Sequence, residues 1–126
     1  MKYSITIITD DTVFSNLLVT LLKRELPELR IQICNSYHEI DEHFGETKDN
    51  FILIDGGISS ISSIETIQYL RTTKLVIAPI WFFPEIVTTE YIHKSIQMGA
   101  SKIINKPFDP YLIVNEIVSL INSKTA

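Results

Sequence analysis

Five times along this chain, a short run of β-branched and apolar residues gives way to a segment with apolar residues at helical spacing. No other feature constrains the fold as much, because strands alternating with helices build parallel sheets through right-handed crossovers. Residues 4–9, Ser-Ile-Thr-Ile-Ile-Thr, are rich in β-branched side chains and read as a first strand. Phe14, Leu17, Leu18 and Leu21 then form an apolar stripe for a first helix, which Pro27 closes. Residues 30–34 alternate polar and apolar, the pattern of a strand at a sheet edge. Ser36 and Glu39 form a capping box for a short second helix that turns Ile40 and Phe44 inward and ends at Gly45. Phe51-Ile52-Leu53-Ile54 is continuously apolar, as a strand covered on both faces must be. Ser62 and Glu65 cap a third helix running to about Arg71. Residues 75–83 hold a fourth strand whose register Pro79 leaves open. A fourth helix starts at Thr88 or Thr89 and stops at Gly99, and Ile103-Ile104 is a fifth strand. Asp109-Pro110 opens a last helix striped by Ile113, Ile117, Leu120 and Ile121. Residues 1–126 are thus expected to form one (βα)5 domain, a doubly wound five-stranded parallel sheet between two helical layers.

Composition narrows the function. A net charge of -4 with no lysine or arginine block argues against nucleic-acid binding, which needs clustered positive charge. The sole cysteine, Cys34, can form neither an internal disulfide nor a zinc site, so a reducing cytoplasm is the expected compartment. No signal peptide is visible, and the longest apolar runs are too short to span a bilayer.

Doubly wound sheets bind ligands at the carboxyl ends of their strands. Strand one ends at Asp10-Asp11, strand three at Asp55 followed by Gly56-Gly57, and strand five at Lys106-Pro107. Three carboxylates and an ammonium are therefore expected at one sheet edge. Adjacent carboxylates repel, and a divalent cation relieves the repulsion; all-oxygen ligands favour a hard ion, Mg²⁺ or Mn²⁺. Such an ion would orient a phosphoryl group for in-line attack by Asp55, with Lys106 pairing first with the carboxylate and then with the phosphoryl group. Gly56 and Gly57 lack a Cβ and allow close approach of the backbone, and the Gly57 carbonyl is a candidate metal ligand. Asp11 alone is explained by helix capping, and Lys106 alone by a solvated side chain. The argument rests on their conjunction at one end of three strands.

These motifs, Ile-Ile-Thr-Asp10-Asp11, Phe-Ile-Leu-Ile-Asp55, Met98-Gly99-Ala100-Ser101 and Lys106-Pro107-Phe108-Asp109, resemble the receiver domain of bacterial two-component response regulators, the CheY-like family. The resemblance implies the flavodoxin-like strand order 2-1-3-4-5. It makes Asp55 the phosphoacceptor, Asp10 and Asp11 the holders of Mg²⁺, and Lys106 the residue that senses the phosphoryl group, with a cis bond before Pro107. It implies a signalling domain rather than an enzyme. The expected partners are a sensor histidine kinase or phosphotransfer protein and a downstream target or output domain. A weak homodimer through helix four, strand five and helix five is also expected, with no membrane or direct nucleic-acid partner.

The chain departs from the family pattern in three places. Where strand four should end in Ser or Thr, counting back from Gly99 gives Pro84, and starting the strand at Leu75 gives Ala78 or Pro79. Ile103 stands at the aromatic switch position. The loop after Asp55, Gly56-Gly57-Ile58-Ser59, lacks the usual proline and later glycine. The alternative is therefore a phosphorylation-independent pseudo-receiver working through protein contacts. A magnesium phosphohydrolase would carry its two aspartates one residue apart, and no glycine-rich loop for a flavin or dinucleotide follows strand one. His38, His43 and His93 read as surface histidines, Cys34 as a small residue on an edge strand, Trp81-Phe82-Phe83 as core, and residues 46–50 as a solvated loop. The chain is either a stand-alone receiver or a piece of a longer regulator. Kinase, pathway and output are not written in it.

Overall fold

The computed structural model describes residues 3–46, 49–58 and 61–125. Five strands alternate with five helices: β1 (Ser4–Ile8), α1 (Thr12–Glu25), β2 (Arg30–Cys34), α2 (Tyr37–Glu46), β3 (Phe51–Asp55), α3 (Ser63–Thr72), β4 (Ile80–Phe83), α4 (Thr89–Met98), β5 (Lys102–Ile103) and α5 (Pro110–Thr125). All strand pairs are parallel, in the order β2-β1-β3-β4-β5. This is the flavodoxin-like sheet expected, with β2 at an edge and β3 at the centre. The Lys106–Pro107 bond is cis.

Period-two side-chain alternation sorts the sheet onto two faces. Ile5, Ile7, Phe51, Leu53, Trp81 and Phe83 point to one side and pack under α1 and α5, through Phe14, Leu18, Leu22, Ile113, Ile117 and Ile121. Ile8, Ile52, Ile54, Ile80 and Phe82 point to the other, against Ile40, Phe44, Ile67 and Leu70 of α2 and α3. The stripes on the outer helices are shifted slightly from the sequence reading. Leu17 and Leu120 are exposed, and Leu22 and Val114 take the buried positions. At i+3 from Phe14, Leu17 lies on the flank of a face centred on Leu18.

Helix starts follow the capping chemistry. The Ser36 hydroxyl accepts from Glu39 N at 3.2 Å, and the Glu39 carboxylate accepts from Asn35 N at 2.8 Å, one residue earlier than in a strict capping box. Ser62 and Thr88 cap α3 and α4. Asp109 accepts from Tyr111 N at 2.9 Å ahead of Pro110 at the first helical position. Helix α2 continues one residue past Gly45, the glycine expected to end it.

The apolar run of residues 75–83 divides in two. Only Ile80–Phe83 is strand. Leu75 adopts a left-handed φ of 55°, and Val76 N donates back to the Leu70 carbonyl at 2.9 Å, closing the end of α3. Pro79 has no N–H for the ladder but its carbonyl accepts from Ile52 N at 2.9 Å, so pairing begins just after it. The Arg71 guanidinium braces this loop by donating to the carbonyls of Val76, Ala78 and Gly99. Pairing of Asp55 with Phe83 fixes the register and places Pro84 immediately after β4, which the count back from Gly99 anticipated.

Candidate functional site at the carboxyl end of the sheet

Asp55 closes the central strand, and its side chain is 3% exposed. A carboxylate so deeply placed needs partners. The Thr9 hydroxyl donates to Oδ2 at 2.7 Å, Lys106 Nζ donates to Oδ1 at 2.6 Å, and Gly57 N donates to Oδ1 at 3.0 Å. Thr9 also accepts from Asp11 N at 3.0 Å, which ties the β1–α1 loop directly to Asp55. The sheet order causes this: β1 and β3 are neighbours, so their carboxyl ends lie side by side.

Lys106 arrives from the β5–α5 loop and lies 5.7 Å from the centroid of the Phe14 ring. Phe14, Phe83 and Phe108 pack edge-on and tilted at 4.9–5.8 Å, forming an aromatic wall beneath the ammonium. Burial against this wall pulls the lysine pKa down. The hydrogen bonds and charges of Asp55 and Glu85 outweigh that effect and hold it above its ordinary value. Lys106 Nζ donates equally closely, at 2.6 Å, to Oε1 of Glu85.

The remaining sequence candidates sit around this pair. Asp11 is the N-cap of α1, its Oδ1 accepting from Val13 N at 2.9 Å and Phe14 N at 3.2 Å. Asp10 is exposed and makes no hydrogen bond or ion pair among the described residues. Gly56 supports the site in a way different from the one expected. A Cβ there would meet the Phe83 carbonyl oxygen at 2.8 Å and Pro84 Cα at 2.9 Å, so its close approach is to the end of β4. A Cβ on Gly57 would meet Oε1 of Glu85 at 2.8 Å.

As donors, Asp10, Asp11, Asp55 and the Gly57 carbonyl suit a hard cation. Their loops are joined through Thr9. Among the described residues, however, no three carboxylate, histidine or cysteine side chains are gathered closely enough to hold a metal ion. Oδ1 of Asp11 is engaged in the α1 cap.

Sequence reasoning missed Glu85, Thr9 and the aromatic wall. Thr9 was legible in principle as a polar residue ending an apolar strand. Glu85 was not, because its role depends on where β4 ends. Away from the site, His43 is not a surface histidine. Its Nε2 lies 2.7 Å from the Thr6 hydroxyl and 2.9 Å from Oδ2 of Asp49, with both side chains largely covered. Asp49 and Asn50, which accepts from Ser4 N at 2.9 Å, are thus structural rather than a solvated loop; residues 47 and 48 lie outside the described residues. Cys34 is fully buried, and Trp81, Phe82 and Phe83 are core as expected.

A family model described as the response regulator receiver domain matches residues 5–118, and the chain belongs to that family. No curated protein matches it in sequence. Among solved structures it is similar to the signal receiver domain of a DNA binding response regulator from Colwellia psychrerythraea 34H. The identity is 19% and the TM-score 0.83, covering 95% of this chain and 98% of that one. A CheY-like receiver domain protein from Methanospirillum hungatei JF-1 gives 18% identity and a TM-score of 0.83, covering 99% and 98%. A response regulator from Burkholderia pseudomallei, which carries a phosphorylated aspartic acid, a calcium ion and citrate, gives 20% identity and a TM-score of 0.76. That match covers 98% of this chain and 73% of the other. At such identities the likeness is one of fold. The chain is a receiver domain, a signalling domain of two-component systems, with the CheY-like fold. Among the described residues, no helix is long and apolar enough to cross a membrane.

Proposed function

We propose that Asp55 accepts a phosphoryl group and that the domain works as a phosphorylation switch. The observation that carries this reading is a covered carboxylate at the end of the central strand, held 2.6 Å from Lys106. One oxygen of Asp55 attacks phosphorus as the bond from phosphorus to the donor atom breaks, an imidazole nitrogen in a phosphohistidine or an oxygen in a small acyl phosphate, and that bond's electron pair leaves with the donor. Thr9 and Gly57 N hold the carboxylate in place while Lys106 offsets the charge that arrives. Asp10, Asp11, Asp55 and the Gly57 carbonyl would hold Mg²⁺, or Mn²⁺ in its place. When bound, the ion neutralises phosphoryl oxygens and lowers the repulsion between an anionic donor and an acidic site. The phosphorylated aspartic acid and cation of the Burkholderia pseudomallei regulator support the same chemistry here. The donor would be a histidine kinase or phosphotransfer protein in a reducing cytoplasm. The target would be a downstream protein or output domain, and this domain would pair weakly with itself through α4, β5 and α5.

A second reading, the phosphorylation-independent pseudo-receiver, is favoured by Pro84 at the end of β4. Proline brings neither a hydroxyl nor an N–H to a phosphoryl group. Half-buried Ile103, where an aromatic switch is expected, points the same way.

Intact-protein mass after incubation with a small phosphodonor and Mg²⁺ separates the two. Acceptor chemistry gives a single phosphoryl adduct that disappears in Asp55→Asn, without Mg²⁺, and in the Asp10→Ala, Asp11→Ala double variant. No adduct on the folded protein supports the pseudo-receiver.

A further inference from the structure

Glu85 stands in the position where it can compete for Lys106. Its Oε1 lies 2.6 Å from Lys106 Nζ, which lies 2.6 Å from Oδ1 of Asp55, so one ammonium serves two carboxylates. The arrangement depends on Gly57: any side chain there would occupy the space of Oε1. It also depends on Pro84 and the Asp55–Phe83 register, which deliver Glu85 directly over the turn after β3. Beyond Glu85 come Ile86 and Val87, both exposed, and then Thr88, the N-cap of α4.

We propose that Glu85 is a positioning residue for Lys106 that competes with the incoming phosphoryl group. Phosphorylation of Asp55 then displaces Glu85 and frees the segment leading into α4. This rests on the acceptor reading above. The direction follows from charge and burial. The resting cluster of Lys106, Asp55 and Glu85 carries a net single negative charge. Transfer converts the Asp55 carboxylate into an acyl phosphate bearing close to two negative charges, while the donor's nitrogen or oxygen leaves with the electron pair of its bond to phosphorus. Even with a divalent cation taking part of the phosphoryl charge, the new oxygens compete with Glu85 for the single ammonium of Lys106, and the less firmly held anion loses its share. Asp55 is 3% exposed and covalently fixed at the end of β3, whereas the Glu85 side chain is 54% exposed and is easily hydrated. Glu85 therefore leaves. Because it directly precedes Ile86–Val87, its release loosens the head of α4. A carboxylate–ammonium contact would thus do what a hydroxyl and an aromatic residue cannot do in a chain with Pro84 and Ile103.

Glu85→Gln keeps the shape and a hydrogen-bonding oxygen but removes the charge. Its initial rate of adduct formation with the small phosphodonor and Mg²⁺ is expected to rise roughly fivefold, the scale of a partly exposed ion pair. Backbone amide signals of residues 86–89 are the second readout. They should shift on phosphorylation of the wild type and already lie displaced in unphosphorylated Glu85→Ala. Equal or slower adduct formation in Glu85→Gln, or still amides at residues 86–89 in the phosphorylated wild type, overturns the proposal while leaving Asp55 as acceptor. No adduct on either protein overturns the acceptor reading and, with it, this proposal.

Discussion

Gly56 and Gly57 are neighbours in one turn, yet they should respond very differently to the same added methyl group. A Cβ on Gly56 would lie 2.8 Å from the Phe83 carbonyl oxygen, 2.9 Å from Pro84 Cα and 3.0 Å from Glu85 N. All three are backbone atoms of the central sheet and its exit, so none can rotate away. Relief requires the ends of β3 and β4 to part, at the expense of the 2.8 Å bond from Gly56 N to the Phe83 carbonyl. Overpacking and the weakened hydrogen bond together amount to about 3 kcal/mol, from which the stiffer unfolded chain of alanine recovers about 0.5 kcal/mol. A Cβ on Gly57 instead meets Oε1 of Glu85 at 2.8 Å and Asp55 Oδ1 at an ordinary 3.4 Å. Glu85 is a flexible, half-exposed side chain that can swing outward, so Gly57→Ala should lie within about 0.5 kcal/mol of wild type. Neither glycine has a positive φ, so alanine is not excluded by backbone conformation. Urea unfolding followed by far-ultraviolet circular dichroism reads the difference. With a slope of about 1.5 kcal/mol/M, the net loss of about 2.5 kcal/mol in Gly56→Ala should lower the midpoint by about 1.7 M and leave the slope unchanged. Equal losses in the two variants would refute the argument, since they would mean that backbone and side-chain obstacles cost the same.

Thr9→Val preserves shape and removes the hydroxyl that serves Asp55 Oδ2 and Asp11 N. It should cost about 2 kcal/mol and lower Tm by roughly 7 °C, measured calorimetrically, and a fall under about 2 °C would show that water replaces the hydroxyl. Arg71→Lys loses the planar fork that reaches the Val76, Ala78 and Gly99 carbonyls. A loss of about 2 kcal/mol is expected, with faster amide exchange in residues 75–80, and unchanged exchange would mean the loop holds without it. Burial, with the nearby charges of Glu39 and Asp49, pushes the Cys34 thiol up to about 12, so a disulfide reagent at pH 8 should react only on unfolding. The folded thiol keeps its proton where the unfolded one releases it above about pH 8.5, so this group removes stability as pH rises from there toward its folded value. The loss between pH 8 and pH 10 should be smaller in Cys34→Ala, and an identical loss would exclude Cys34 as a source.

Much of this was written locally. Period-two and period-3.6 patterning placed five strands and five helices, Ser62 and Thr88 marked helix starts, and the acid and lysine at strand ends pointed to one sheet edge. These signals depend on residues within a turn or two of each other, so the sequence alone expresses them. Tertiary contact decided the rest. Pairing with β3 set the start of β4 at Ile80, which a run interrupted by Pro79 left open. Packing beneath α2 covered His43 and matched it with Asp49 and Thr6, although nothing local separates it from the exposed His38. Asp11, a candidate metal ligand by resemblance, caps the N-terminus of α1 in the folded chain. Glu85 reached Lys106 through three separate circumstances: the Asp55–Phe83 register, Pro84, and the absence of a side chain at Gly57, on the neighbouring strand's exit. Its place in the site exists only because chain segments remote in sequence leave room for one another, and no window along the sequence contains that information.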